Sequence, residues 1–215
     1  LGDKKDFSKG VAIGSILDTD KDSHLEICRY SSGSGFWKWT HIPYTTGKIP
    51  ILNVLKIIYN FFKAPLTYLK LYLVKDWAKK TATLLFMQTL ESKIKFKKNK
   101  IGVLSSRITS GKKPSAYIPR ASELAKKYAK IVDGRATVFA LEPLAGIPST
   151  AHILGGAVMG ENASNGVIDK NNRVFGYENM FVIDGAMISA NPGVNPSLSI
   201  TAIAERAMEK IPTKQ

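Results

Sequence analysis

Three short segments in the last third of the chain carry residues whose types and spacing could do chemistry. The first is His152, which is followed by two apolar residues and the pair Gly155-Gly156. Tandem glycines let a backbone approach a flat ligand closely, and an imidazole titrates near neutral pH and can accept the proton of an alcohol. An ordinary core histidine also fits this apolar setting, and position alone favours that interpretation.

The second segment is Asp184-Gly185, preceded by Phe181-Val-Ile. The apolar run predicts a buried strand that ends in a turn. If that strand belongs to an open α/β sheet, Asp184 and Gly185 lie at its carboxyl end, where ligands bind in such sheets. A plain strand end explains the same residues, and this segment alone does not decide between the two.

The third segment is Asn195-Pro196-Ser197. Asparagine is a good helix N-cap and proline is favoured at the first helical position, so a helix from Pro196 to Lys210 is predicted. The free N–H groups of the first turn and the positive end of the helix dipole suit an electron-rich ring oxygen. As structure alone, the segment is only a well-made helix start.

The order and spacing of these segments resemble the C-terminal end of the glucose-methanol-choline (GMC) flavin oxidoreductases, and the Leu154-Gly-Gly form is most similar to the cholesterol oxidase branch. The resemblance is strong over residues 148–211 and thinner upstream, around residues 10–13, 24–30 and 86–90. It implies a catalytic pair, His152 and Asn195, that flanks the flavin of FAD and holds the substrate hydroxyl. It also implies that the cofactor is contacted by Asp184, Gly185, Asn195, Pro196 and Ser197. No metal site is predicted.

The resemblance assigns a further catalytic role to Glu26, from few local residues. In cholesterol oxidases a glutamate in the substrate pocket moves a proton during double-bond isomerisation, and Glu26 matches it by local sequence. The alternative interpretation is an exposed strand carboxylate paired with Arg29 or a lysine.

The implied reaction is oxidation of a secondary alcohol, most simply the 3-hydroxyl of cholesterol or a related sterol, with hydride transfer to FAD and molecular oxygen as the electron acceptor. A dehydrogenase with another acceptor, and a choline-like or sugar-like substrate, remain alternatives within the family. A non-enzymatic module that binds lipid or a membrane surface is an alternative of a different class.

The glycine fingerprint G-x-G-x-x-G, with which the family begins, is absent, and Gly33-Ser-Gly35 lacks its third glycine. We therefore expect the chain to be a C-terminal portion that lacks the N-terminal FAD-binding segment and is inactive alone. The predicted fold is α+β. Residues 1–147 form a substrate-binding domain on a largely antiparallel sheet, and residues 148–215 supply the last strand and helix of a Rossmann-like FAD domain.

The net charge of +14 is unevenly placed. Residues 1–147 contain 26 Lys/Arg against 11 Asp/Glu, whereas residues 148–215 contain 5 against 6. Such a field favours solubility or an anionic partner. A peripheral membrane contact is preferred over nucleic acid, because no zinc-finger, RRM or KH signature is present. The compartment stays open between secreted and cytoplasmic, since the single Cys28 excludes only a disulfide framework.

The chain upstream of residue 148 predicts several elements. Residues 51–74 are helical and very apolar, with lysines at heptad spacing, and Pro65 divides them into two amphipathic helices instead of one membrane span. Residues 122–132 form a helix with Ser122 as its cap. Strands are predicted at residues 11–17, 23–30, 83–90 (buried) and 93–98 (one wet face).

Overall fold

The computed structural model describes residues 6–211 and is α+β, with small antiparallel sheets and short helices. The chain divides into two compact units, Leu1–Ser149 and Thr150–Gln215. This boundary lies two residues after the one that the sequence predicts, which follows residue 147. The roles predicted for the two units stay predictions.

The described part of the first unit, from residue 6 onward, contains three antiparallel sheets. The strands are β1 Ile13–Asp20, β2 Ser23–Cys28, β3 His41–Pro43, β4 Thr83–Gln88, β5 Ser92–Lys98, β6 Leu104–Gly111 and β7 Thr137–Phe139. The largest sheet has the order β1-β2-β4, and the other two pair β3 with β7 and β5 with β6.

Strand β2 is the centre of the three-stranded sheet and carries part of the core. Leu25 is buried and Glu26 is completely buried, whereas β1 is largely exposed and β4 is half-buried. The strands predicted at residues 11–17, 23–30 and 83–90 are confirmed. The prediction that the last of them is buried is wrong, because β4 is an edge strand of this sheet.

The helices of the first unit begin at prolines in three cases. The two amphipathic helices predicted within residues 51–74 are confirmed, and the break falls at Pro65, which starts the second helix because it has no N–H to continue the first. No helix among residues 6–211 is long and apolar enough to cross a membrane. The helices are α1 Pro50–Lys63, α2 Pro65–Tyr72, α3 Trp77–Lys80, α4 Pro119–Ile131 and α5 Leu141–Ala145, with a 3-10 segment at Ser34–Thr40.

Two local predictions in this unit are wrong. Ser122 is not a helix cap, because α4 already begins at Pro119, and the Ser122 hydroxyl donates instead to the Ile118 carbonyl at 3.2 Å. The β5–β6 hairpin does not have one wet face. Both of its faces are largely exposed, since each strand pairs only with the other among the described residues.

The second unit contains little regular structure. Up to residue 211, where the description of the chain ends, this unit has a 3-10 turn at Gly185–Met187 and one helix, α6, at Ser197–Met208. The predicted strand at residues 181–183 is wrong: Phe181 makes one isolated bridge with Arg173, and no strand is formed there. The C-terminal strand expected of a Rossmann-like domain is therefore not present in the described part of this unit.

Asn172 is the polar centre of the second unit's core. It is completely buried and adopts a left-handed backbone, φ 66°. Its side-chain amide donates to the Val182 carbonyl at 2.9 Å and contacts the Met187 sulfur at 3.1 Å, and it accepts from the Arg206 guanidinium at 3.2 Å. These bonds replace strand pairing as the means of holding residues 172, 182 and 187 together with α6.

Candidate functional site

The segment that contains His152 lies beside the Asp184-Gly185 turn. The Gly155 N–H donates to the Gly185 carbonyl at 3.1 Å, and the Ala157 N–H donates to the Ala186 carbonyl at 3.0 Å. Two of the three segments singled out in the sequence are therefore neighbours in the second unit.

Gly185 marks the closest approach between these two segments. A methyl group in place of its hydrogen would lie 2.8 Å from the Ile153 carbonyl oxygen, closer than side-chain carbons approach an oxygen. The same methyl would lie 3.4 Å from Leu154 and 3.7 Å from the Ile200 side chain. Because Ile200 belongs to α6, the third segment's helix also packs here.

Asp184 caps the 3-10 turn. Its carboxylate accepts a hydrogen bond from the Ala186 N–H at 2.8 Å. The residue is exposed and leads into a helical turn, so it does not terminate a sheet strand as the sequence predicted. The cap fixes the direction of the turn that Gly155 and Ala157 bind.

The glycine pair next to this turn leaves an open surface. Gly155 and Gly156 have φ of 79° and 106°, which L side chains rarely adopt. No heavy atom lies within 4 Å of the position that a Gly156 methyl would take. The backbone at Gly156 is therefore open to a flat group approaching from outside.

His152 is half-buried, and its backbone N–H donates to the Thr150 hydroxyl at 3.1 Å. An ordinary core histidine would be fully buried, whereas His152 as a residue is partly exposed. Its partial exposure is compatible with a role in binding, and its role stays a prediction.

The structure begins α6 at Ser197, one residue after the predicted start, and the buried Pro196 occupies the N-cap position without a side-chain cap hydrogen bond of its own. The first helical bond runs from the Ile200 N–H to the Pro196 carbonyl at 2.9 Å. Asn195 is half-buried at the position before the cap, and Ser197 is exposed at the first helical position.

Glu26 belongs to the first unit, whereas the other predicted site residues belong to the second. It is completely buried on β2, and its carboxylate oxygen lies 3.5 Å from the Nε2 atom of His24 on the same strand face. The alternative interpretation of an exposed strand carboxylate is therefore wrong. Burial raises the pKa of the neighbouring Cys28 thiol, and the negative charge of Glu26 raises it further.

An apolar cavity of about 350 Å³, which sequence analysis did not anticipate, opens between β3, α1 and α2 of the first unit. Its walls are aliphatic and aromatic, and the signal that could have indicated it is the density of such residues in both helices. No cluster of His, Cys, Asp and Glu able to hold a metal occurs in the described part of the chain. The residues that line the cavity are Ile42, Pro43, Ile57, Ile58, Phe61, Phe62, Tyr68, Leu69 and Tyr72.

One family model and several known proteins match this chain. The family model described as GMC oxidoreductase matches residues 111–204. A cholesterol oxidase of Acinetobacter baumannii is 39% identical over 217 residues, covering 100% of this chain and 39% of the relative. A cholesterol oxidase of Mycobacterium tuberculosis strain H37Rv is 37% identical, covering 97% of this chain and 37% of the relative.

Other GMC relatives match a smaller part of the chain. A long-chain-alcohol oxidase of Arabidopsis thaliana is 36% identical over 62 residues, covering 29% of this chain and 8% of the relative. The chain spans about two fifths of the length of the cholesterol oxidases it matches. With a family model over residues 111–204 and similarity to cholesterol oxidases along its whole length, the chain belongs to the GMC oxidoreductase family.

Proposed function

We propose that this chain supplies the substrate-binding unit and part of the catalytic site of an FAD-dependent oxidoreductase that oxidises the 3-hydroxyl of cholesterol or a related sterol. The observation that carries the proposal is the extent of similarity. Relatives named cholesterol oxidase match along the whole chain, including the first unit, whereas a long-chain-alcohol oxidase matches over only 62 residues.

The second unit offers residues that fit the edge of a flavin ring. The open backbone at Gly156 admits a flat group, and the turn at Gly185 lies beside it through the Gly155 hydrogen bond. The backbone N–H groups in the first turn of α6, which begins at Ser197, are donors suited to an electron-rich ring oxygen. Asn195 and Pro196 directly precede this turn. When bound, FAD supplies the acceptor for the hydride that leaves the alcohol carbon.

The proposed roles of the side chains follow from their chemistry. His152 accepts the hydroxyl proton as the alcohol is oxidised, because a neutral imidazole is an effective general base. Asn195 hydrogen-bonds the hydroxyl oxygen and orients it. Molecular oxygen is the proposed final electron acceptor, and a dehydrogenase with another acceptor is the alternative.

Glu26 is proposed to move a proton during double-bond isomerisation. Its complete burial next to His24 supports a role inside the protein over one on its surface. A carboxylate enclosed in this way transfers a proton without competition from bulk water.

The apolar cavity favours a sterol over the alternatives. Its walls offer few polar partners for the hydroxyls of a sugar or the head group of choline. The alternative of a non-enzymatic module that binds lipid or a membrane surface would account for the apolar surfaces of the first unit. It would not account for His152 and Asn195, whose chemistry such a module does not need.

The test uses the full-length protein loaded with FAD. Anaerobic mixing with cholesterol should bleach the flavin, whereas choline and glucose should not. His152→Ala should lower turnover by about 10²–10⁴-fold and leave flavin content unchanged, because proton acceptance is needed only in the transition state. Ile153→Ala, at the exposed neighbouring residue, should retain turnover.

Three outcomes would contradict the proposal. Bleaching by choline or glucose but not by sterols would refute the substrate class. Loss of flavin from His152→Ala would make the histidine a structural residue. A full-length protein that binds no flavin would refute the cofactor.

A further inference from the structure

The most buried side chain of helix α1 is polar, whereas most of its apolar side chains are exposed. The side chain that faces the interior of the first unit is Asn53, which is 1% exposed. Its amide donates to the Gly47 carbonyl at 3.1 Å and to the Pro143 carbonyl at 3.0 Å. The helix is therefore fixed to the unit through a polar anchor.

The outward face of α1 is apolar, and it continues into α2. Residues spaced three and four apart lie on one side of a helix, and the outward side of α1 follows that spacing. The exposed side chains include Phe62 at 78% and Leu66 at 70% of their surface. The apolar stripe, as we call it, consists of Ile51, Leu55, Ile58, Tyr59 and Phe62 of α1, Leu66 and Leu69 of α2, and Leu73.

The charges around the apolar stripe are of one sign. No aspartate or glutamate occurs from Ile27 to Lys75, and that segment contains seven basic residues. Lys56 and Lys63 are seven residues apart, two turns of α1, and both are exposed on one flank of the stripe. The surface is therefore complementary to a layer that is apolar inside and anionic at its surface.

We propose that the apolar stripe is the surface by which this protein binds an anionic lipid bilayer, with α1 lying in the plane of the interface. Apolar and aromatic side chains enter the boundary between head groups and acyl chains, while the lysines extend to the head groups. At 1.5 Å per residue the 14 residues of α1 span roughly 21 Å, less than the ~30 Å of hydrocarbon that a membrane span must cross.

A nucleic acid would be a poorer partner for this surface. Phosphates would pair with Lys56 and Lys63 but leave the exposed Phe62 and Leu66 in water or against a charged backbone. A bilayer satisfies both the apolar centre and the basic flank.

The apolar cavity opens on this same face. Ile58, Phe62 and Leu69 belong both to the stripe and to the cavity wall. An apolar substrate dissolved in the bilayer would thus meet the cavity directly, a consequence that rests on the proposed function. The membrane contact itself does not, because it can be measured without any reaction.

The experiment is co-sedimentation of the protein with lipid vesicles. Binding should be strong to an equimolar mixture of phosphatidylcholine and phosphatidylserine, weak to phosphatidylcholine alone, and reduced by salt. A nearby basic residue contributes about fivefold to the partition coefficient. The double variant Lys56→Gln, Lys63→Gln should therefore bind roughly 25-fold more weakly.

Two further variants make the test specific to this surface. Lys95→Gln with Lys97→Gln removes the same charge from the exposed β5–β6 hairpin and should leave binding near that of the parent. Phe62→Ser with Leu66→Ser should weaken binding while the melting temperature is kept, since both side chains are already exposed.

Each contrary result overturns the inference. Absence of binding to the anionic vesicles refutes it directly. Equal losses from the two lysine pairs would show that only net charge matters. A lowered melting temperature with unchanged binding in the Phe62 and Leu66 variant would show that another part of the protein covers the stripe. Binding to duplex DNA but not to vesicles would assign the lysines to nucleic acid.

Discussion

At the scale of single residues, the second unit depends on close backbone contacts that no side chain can replace. Gly185 is the sharpest case, because a methyl there would lie 2.8 Å from the Ile153 carbonyl oxygen. Gly185→Ala must push the two segments apart and strain the bond from Gly155. We expect a loss of about 1–3 kcal/mol in the free energy of unfolding, measured by urea denaturation.

Gly35→Ala is the matched control for this prediction. Gly35 has no heavy atom within 4 Å of its added methyl and no left-handed backbone, so its variant should unfold like the parent. If Gly185→Ala also unfolds like the parent, the segments at residues 153 and 185 are not held as closely as the structure indicates.

Asn195 gives a prediction that separates structure from chemistry. Asn195 lies just before the N-cap position of α6. Aspartate accepts hydrogen bonds at a helix N-terminus as well as asparagine does, and an acidic residue there is stabilising. The melting temperature of the full-length protein should therefore match the parent or exceed it. Flavin reduction should be much slower, because the carboxylate places a negative charge near the ring edge that gains electrons. Equal reduction rates in rapid mixing would refute the proposed role.

The residue types of the candidate site were readable from sequence, but part of its geometry was not. The apolar run at residues 181–183 predicted a buried strand, but these residues are only half-buried. It did not form a strand, because the Val182 N–H donates to the Asn172 carbonyl at 3.0 Å in an irregular loop. An apolar run indicates burial, and its backbone partners depend on a distant residue such as Asn172.

At the scale of elements, a polar side chain of α1 should contribute more to the stability of the protein than an apolar one, because Asn53 is buried and Leu55 is exposed. Asn53→Ala leaves the half-buried Gly47 carbonyl and the buried Pro143 carbonyl without their donor, which should cost about 1–3 kcal/mol of unfolding free energy. Leu55→Ala removes an exposed side chain from the same helix and should change that free energy by less than about 0.5 kcal/mol. Chemical denaturation of both variants checks the order, and a larger loss from Leu55→Ala would contradict it.

Helix positions in the first unit were predictable where backbone chemistry decides them. Pro65 separates α1 from α2 as expected, because proline lacks the N–H that a continuous helix needs. Ser122 misled the prediction, since Pro119 starts α4 one turn earlier and tertiary packing places the serine near the Thr46 hydroxyl at 3.3 Å. Periodicity likewise predicted α1 correctly but did not reveal that the buried side chain of this helix is Asn53.

At the scale of the whole molecule, alkaline pH should weaken the first unit. Burial raises the pKa of the Cys28 thiol above its usual 9.0, and burial raises the pKa of several phenols above 10.0. The unfolded chain therefore loses these protons at lower pH than the folded one. Their contribution to stability is complete below pH 9 and falls as the pH rises through the raised values. The phenols are those of Tyr30, Tyr44, Tyr68, Tyr72 and Tyr128.

Urea denaturation across the alkaline range, with tyrosinate absorbance as a second signal, measures this loss. Tyr30→Phe should reduce the slope of stability against pH, because it removes one group that resists ionisation in the folded state. Tyr59→Phe, at a side chain that is 66% exposed, is the control and should keep the parent's slope. A flat stability curve above pH 10 would contradict the prediction.

The β5–β6 hairpin carries a consequence for how copies of this protein behave toward one another. A two-stranded ribbon offers a row of backbone donors and acceptors along each outer edge, and such edges recruit strands from other molecules. Here Lys93, Lys95 and Lys97 are exposed along one strand, and Lys95 lies opposite Arg107 on the other. Two hairpins that meet edge to edge bring these like charges together. The lysines thereby act as gatekeepers against self-association, and acetylation of their amines would leave the ribbon as a template for strand addition.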